Sequence, residues 1–463
     1  MRRTIAVCCA AIALTACTEG DVGGSATTTP RTDADVTDTS ASAKPSTTDA
    51  TSGSATATTL PSPATTVPSD GSVVSEFAGL DWAFGTLGTN GTQADDTLEP
   101  IVIGMINQEN SPVGSFPELR RAVEAAVAWM NAEFDGVNGR PVHLETCITS
   151  FSVEQSQACA QQLVQAGAVA VINGIDISAN GSIPVLEQNG IPVISAIPTT
   201  LAEMRSTGAF SFSGGITGAY VAFVADAHAR GASSIAIAYG QFESFEVPAT
   251  EYAAKVAEQL GMDVTLVPFP ITTTDFLPVV QAVLDADADA VAFGVADTAC
   301  VPVITTLHDL GSTGSRYFVG ACAAAPILDR IDDAVQAEVV FNSEGPIDAG
   351  ADGDLYLAVT DRYADDEAGG AGTVSFRAAM NLWHLLTALD DPTPAALMDE
   401  LRGSVDAPSF WGHPFTCDGR QVPGLPALCA PQQTLFRLPD DSGTVEPVTD
   451  DWIDVPALVA FLG

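Results

Sequence analysis

Basic residues are scarce in this chain. Only 17 Lys and Arg stand against 58 Asp and Glu among 463 residues, a formal net charge of −41. Without a basic footprint, nucleic acid is excluded as a partner. The acidity is spread along the chain and reads as solubility, not as a binding device. Histidine is sparse too: His143, His228, His308, His384 and His413 are scattered without ligand spacing. No HExxH, CxxC, Walker or GxSxG sequence occurs, so the usual signatures of zinc hydrolysis, thiol redox, nucleotide binding and serine hydrolysis are missing. Asp285, Asp287 and Asp289 begin like a calcium loop, but Ala290 and Ala296 hold its sixth and twelfth places; a solvated helix end is the better reading. Asp348, Asp352 and Asp354 read as a surface loop. The sequence therefore predicts no metal, no cofactor and no catalytic residue, and an enzyme has almost no support.

Long apolar runs are also missing. The one near the start, Thr4 to Ala16, follows the basic Met1-Arg2-Arg3 and is too short to span a bilayer. It reads as a secretory signal, residues 1–16. Its end, Leu14-Thr15-Ala16-Cys17, resembles a bacterial lipobox. The resemblance implies cleavage before Cys17, a lipid on its thiol and attachment to a membrane; an ordinary signal peptide beside a chance cysteine is the alternative. From there to residue 96 the chain is dominated by Thr, Ser, Ala, Asp, Gly and Pro. Between Thr18 and Asp96 it carries eleven acidic and two basic residues. Such a segment buries too little to offset its ordering entropy, so residues 17–96 read as a disordered tether. Phe77, Leu80, Trp82 and Phe84 form an apolar patch near its end, read as docking on the body. The body itself is expected to be soluble on the outer side of the membrane.

Beyond Cys8, Cys9 and Cys17, six cysteines fall into three close pairs: Cys147 and Cys159, Cys300 and Cys322, Cys417 and Cys429. In an exported chain this spacing suits local disulfides. Six buried free thiols remain the alternative.

The body starts with the apolar strand Ile101 to Met105. Its loop leads to Ser115-Phe116-Pro117-Glu118, where Ser115 is expected to cap a helix and Glu118 to complete a capping box. Leu119, Val123, Val127 and Met130 then recur at helical spacing. Strands are expected at Val142–Thr146, Ala168–Asn173 and Ile191–Ser195, with helices after Ser152 and over Gly181–Asn189. A second series follows Ser213-Gly214-Gly215, with strands near Ile235–Tyr239, Val264–Phe269, Ala290–Gly294 and Tyr317–Gly320 and helices between them. Val339 to Gly345 reads as a return crossing, Phe376–Asp390 as a helix and Thr434–Leu438 as a last strand. Short apolar strands alternating with helices predict an α/β fold, two doubly wound parallel-sheet lobes covered on both faces. In such sheets ligands bind beyond the carboxyl ends of the strands.

The lipobox, the tether, Ile103-Gly104 in the first strand, Asn138-Gly139-Arg140 and Ile191-Pro192-Val193-Ile194-Ser195 together resemble a type I periplasmic binding protein. The branch they are most similar to is the branched-chain amino-acid (Leu/Ile/Val) binding proteins of ABC importers. The resemblance runs from about Glu99 to Leu438. It implies two lobes joined by a three-strand hinge: lobe I from 97–214 plus 344–410, lobe II from 215–343 plus 411–440, and a C-terminal extension over 441–463. It implies a monomer that closes over a small polar ligand, an amino acid or a related compound, and delivers it to a membrane permease. A ligand-sensing receptor lipoprotein of the same fold is the alternative.

The resemblance also suggests where ligand is read. Ile197 and Thr199 match places that hold the ligand's carboxylate and ammonium, and Thr199 keeps the hydroxyl. Asp176 falls where the family has a serine, with Ser178 two residues later. Phe245 matches an aromatic place in the second lobe. The family's acidic counter-ion place is Cys322, and Asp297 on the neighbouring loop is the substitute. Asn107 lies on the loop after the first strand, taken as a cleft wall. Cys300 and Cys322 each follow a strand end on one rim, so a bridge between them is expected to stiffen loops facing the cleft.

Overall fold

Strand β1, Ile101–Gln108, is buried along nearly its whole length, and the first lobe is built outward from it. The computed structural model describes residues 92–111, 114–346, 350–364, 370–438 and 445–463. Cys17, the signal segment, most of the tether and the patch Phe77, Leu80, Trp82 and Phe84 lie outside the described residues. None of the described helices is long and apolar enough to cross a membrane.

In the first lobe, β1 leads to α1, Pro117–Glu133, then β2, Val142–Thr149, and α2, Val153–Gln165. Next come β3, Ala170–Asn173, α3, Ser182–Gln188, and β4, Val193–Ser195. Helix α4, Leu201–Arg205, and β5, Ala209–Ser211, complete this part. The sheet order is β2-β1-β3-β4-β5, with every pair parallel. Order turns back at β1, the arrangement of a doubly wound sheet with helices on both faces. Leu119, Val123, Val127 and Met130 of α1 are all buried, as their spacing predicts. The expected cap is different. Phe116 precedes α1 without a side-chain cap, and Ser115 Oγ instead accepts from Asn110 N at 3.0 Å. The hydroxyl is recruited by the loop it closes. Ser152 does cap α2, accepting from Gln155 N at 3.3 Å.

The second lobe begins with α5, Gly215–Ala229, and β6, Ser234–Gly240. Helix α6, Glu243–Val247, passes through a π-helical turn, Pro248–Ala253, into α7, Ala254–Gln259. Then follow β7, Asp263–Phe269, α8, Leu277–Asp285, β8, Ala290–Gly294, and α9, Asp297–Asp309. Strands β9, Ser315–Phe318, and β10, Val339–Ser343, extend the sheet. The chain then returns to the first lobe for α10, Gly350–Tyr363, α11, Gly372–Thr387, and α12, Pro394–Gly403. It ends in the second lobe with β11, Thr434–Arg437, β12, Glu446–Pro447, and α13, Val455–Val459. The second sheet runs β12-β11-β10-β9-β8-β6-β7. It is parallel from β7 to β10, and β11 and β12 are added antiparallel.

Each lobe has its own core. Trp129, Phe376, Met380 and Phe410 fill the first, and Tyr220, Phe223, Tyr317 and Leu435 the second. Trp383 Nε1 donates to Gly136 O at 2.8 Å, tying α11 to the turn after α1. Residues 92–98 run against this lobe: Ala94 N donates to Asn131 O, and Ala94 is buried. Val455 and Val459, from the segment read as a C-terminal extension, are buried in the second core.

Three crossovers join the lobes and meet at one polar joint. They are the stretch after β5, the stretch after β10 and the stretch before β11. Glu344 Oε1 accepts from Ser213 Oγ and from Gly215 N at 3.1 Å, linking the first two. Asn342 Nδ2 donates to Gln433 Oε1 at 2.7 Å, and Thr434 Oγ1 to Gly345 O at 2.8 Å, adding the third. Gly214 is required because a Cβ there would lie 2.7 Å from Pro431 O. Behind the joint, Arg377 of α11 faces Glu344 at 4.0 Å, both deeply buried. Burial pushes the Glu344 carboxyl up, against the pull of Arg377, and pushes the Arg377 guanidinium down, against the pull of Glu344 and Asp352.

Candidate functional site

Register decides which side chains meet at the carboxyl ends of the first sheet. Asn173 of β3 is level with Ser195 of β4, and Ser195 with Ser211 of β5. Both Asn173 and Ser195 reach Glu203 of α4. Asn173 Nδ2 donates to Glu203 Oε1 at 2.7 Å, and Ser195 Oγ donates to the same oxygen. Thr199 N donates to Oε2 at 2.9 Å. Glu203 is fully enclosed, and burial pushes its carboxyl up to about 7, against these three donors; Asp176 adds to the rise.

Asp176 is a second enclosed carboxyl. It accepts from Ser156 Oγ at 2.6 Å, Ser178 N at 3.0 Å and Thr149 Oγ1 at 3.2 Å. Burial raises its pKa, with those hydrogen bonds opposing. Its backbone oxygen accepts from Thr199 Oγ1 at 3.0 Å. Asn107, also enclosed, donates to Phe116 O at 2.7 Å and accepts from Ile175 N at 3.3 Å, so it braces the β1 loop against the β3 loop. Ile197 N reaches Gly174 O at 3.4 Å.

Elements beyond the carboxyl ends of the second sheet carry the two remaining candidates. Asp297 opens α9 and is half-buried, its Oδ1 accepting from Thr298 N at 2.7 Å. Phe245 of α6 is half-buried against the second core. Two observations bring the lobes together here. Arg205 of α4 meets Glu243 of α6 at 3.6 Å. Glu118, in the first turn of α1, lies within electrostatic reach of Asp297 across the seam and of Glu109 beside it. Burial raises the Glu118 carboxyl; Arg121 opposes the rise, and Asp297 and Glu109 add to it. Arg120 is held by Glu109 at 2.7 Å and by Glu124 at 2.8 Å.

Two lobes with strand ends turned to one seam, and three crossovers on one joint, are a ligand-binding architecture. The periplasmic binding protein sequence family matches residues 100–424. The chain belongs to that family. Family members bind solutes outside the cytoplasm and are not enzymes, so this is an extracytoplasmic binding protein. Among solved structures it resembles the leucine-binding protein LivK of Thermotoga maritima, with a TM-score of 0.63 at 16% identity, covering 76% of this chain and 98% of that one. It also resembles a solute-binding protein of an ABC transporter from R. palustris, solved with 4-hydroxybenzoate, at 0.64 and 17%, covering 77% and 97%. LivJ of Streptococcus pneumoniae, solved with isoleucine, matches at 0.60 and 13%, covering 76% and 99%. No curated protein sequence matches the chain.

In this binding protein, hydrogen bonds join Asp176 to Ser178 and Thr199, while Asn107 and Ile197 bond to the adjoining Ile175 and Gly174. Phe245 and Asp297 follow β6 and β8, which are neighbours in the second sheet. Cys300 and Cys322 are bridged, as are Cys147 with Cys159 and Cys417 with Cys429. The first of these bridges ties α9 to the turn after β9, behind Asp297. Sequence reasoning missed Glu203 and gave Glu118 only a capping role. For Glu203 a signal existed: Thr200-x-x-Glu203 is a capping box, and Thr200 Oγ1 accepts from Glu203 N at 3.2 Å.

Proposed function

We propose that this chain is the lipid-anchored, monomeric solute-binding protein of an ABC importer. It captures a small polar molecule, an amino acid or a related compound, between its lobes and presents the closed form to a membrane permease. Cys17 carries the lipid, and the following tether lets the body reach the permease. Asn107, Asp176, Ser178, Ile197 and Thr199 form one wall of the site, and Phe245 and Asp297 the other.

The observation that carries this reading is the pair of α/β lobes joined by three crossovers, with Arg205 of α4 meeting Glu243 of α6 at 3.6 Å. A ligand that contacts both lobes favours the closed state. It also stabilises the fold by mass action, about 2.7 kcal/mol at a hundred times its Kd. The test is a thermal-shift screen of amino acids and small metabolites, followed by small-angle scattering. A hit is expected to raise the Tm and reduce the radius of gyration, and Thr199→Ala and Asp297→Ala are expected to weaken both effects. If no compound shifts the Tm or compacts the protein, the solute-binding assignment fails.

A further inference from the structure

A five-residue helix such as α4 cannot hold itself together in water. It is kept in place by what lies on either side, and the two sides belong to different lobes. On one side Glu203 accepts from Asn173 Nδ2 at the end of β3 and from Ser195 Oγ at the end of β4. On the other, Leu201 and Met204 are buried in the second core, in one cluster with Tyr220 and Phe223 of α5. Thr217 Oγ1, also of α5, lies 3.8 Å from Met204 Sδ. Arg205 ends the helix and reaches Glu243 of α6. Helix α4 is thus anchored in both lobes at once.

The two anchors differ in kind. The apolar one moves with the second lobe. The polar one depends on a carboxyl wedged against strand ends that offer it no cation. Asn173, Ser195 and Ser211 stand level at the ends of β3, β4 and β5, and none is charged. The charged group acting on Glu203 is Asp176, from the loop after β3 and itself an enclosed carboxyl. On the second-lobe side, burial keeps the Tyr220 hydroxyl protonated, and the helix's own cation, Arg205, is directed to Glu243. A carboxylate enclosed without a cation is stabilised by reaching water far more than a neutral carboxyl is. Ser195 can serve either form, since a hydroxyl both donates and accepts. Lifting α4 from the first sheet hydrates Glu203, so the seated arrangement binds a proton more tightly than the lifted one. Thr199 follows, because its N–H donates to Glu203 Oε2 while its hydroxyl donates to Asp176 O.

We propose that α4 is the coupling element between the lobes and that the proton on Glu203 sets it: with the proton the helix is seated on both lobes, and without it the helix lifts from the first sheet, lets the lobes separate and slackens Thr199. Glu203 is thereby a positioning residue for the candidate site, whatever ligand that site takes. Its carboxyl moves from an ordinary 4.5 to about 7 when enclosed, so the seat is tightest below this window and loosens as pH rises through it.

The experiment uses the full chain and no ligand. Fluorophores on non-natural residues at exposed Gln157 of α2 and Gln281 of α8 report the separation of the lobes by single-molecule energy transfer. Hydrogen exchange of the amides from Thr199 to Ser206, corrected for its intrinsic pH dependence, reports the seat. From pH 4.5 to 7 protection is expected to fall about ten-fold or more and then level, and the lobes to separate over the same window. Glu203→Gln keeps an acceptor and cannot titrate, so both readings are expected to stay at their low-pH values throughout. Met204→Ala loosens the second anchor; exchange is expected to keep its pH dependence while the separation loses it. Flat wild-type exchange overturns the proposal. So does exchange that changes while the separation does not, or a Gln variant that keeps the wild-type profile. Should Glu203→Gln fail to fold, the wild-type profiles and Met204→Ala still decide between these outcomes.

Discussion

Glu203 concentrates the chemistry of the first lobe in one side chain. Its carboxyl is pushed from 4.5 to about 7 in the folded protein. The folded state therefore holds this proton more tightly than the unfolded chain does. That contribution to stability is full below pH 4.5 and is lost as pH rises toward 7, on the order of 3 kcal/mol over the window. Glu203→Gln keeps an acceptor toward Thr199 N and cannot titrate. The stability difference between wild type and this variant, measured by urea unfolding from pH 4.5 to 8, is expected to fall across the window and then level. A flat difference would mean that the raised pKa is wrong. Arg377 is the opposite case, a buried cation whose nearest counter-charge is Glu344. Arg377→Met is expected to cost about 3–5 kcal/mol, because it leaves the Glu344 charge buried and uncompensated. Adding Glu344→Gln should restore part of that loss, and a double-mutant cycle reads the coupling. Neither partnership was legible in the sequence. Asn173 and Glu203 are thirty residues apart, Glu344 and Arg377 thirty-three, and each meeting depends on strand register or on the return of the chain between lobes.

Among the elements, periodicity was the informative signal. Buried strands such as Ala290–Gly294 and the stripe of α1 stand where the pattern of apolar residues puts them. The short elements did not announce themselves. Strand β5 has three residues and α4 five, too few for a period to be read. The cap of α1 was misread because a serine hydroxyl can serve a helix or a loop, and here the loop has it. The cysteine spacings, by contrast, suited local bridges while leaving connectivity open, and the three close pairs are the ones bridged. Cys300 and Cys322 enclose a separation of 22 residues, and closing a loop of that size removes about 3 kcal/mol of unfolded-state freedom. The double variant Cys300→Ser, Cys322→Ser is expected to lose roughly that amount in urea unfolding. Because the bridge lies behind Asp297, it should also lose affinity for whichever ligand the wild type binds. Unchanged affinity with lowered stability would confine the bridge to a structural role.

At the scale of the whole molecule, each lobe is assembled from separate stretches of chain. Leu119 O accepts from Ser375 Oγ, a contact across 256 residues, and Phe212 packs on Phe415. A chain truncated after residue 346 keeps the strands of the first sheet but lacks α10 and α11. It is expected to be digested quickly by protease, whereas the full chain resists; a resistant fragment would show that the first lobe is complete without them.

That interruption sets a clock. In a chain made from its N-terminus, β1 and α1 come out early. Their covering helices arrive some 250 residues later. Throughout that interval Leu119, Trp129 and Met130 have no α11 to lie against. Non-local contacts of this span are slow to form, and exposed apolar faces aggregate while they wait. The large negative charge then acquires a kinetic meaning: it keeps half-emerged chains apart until the returning helices close the first lobe.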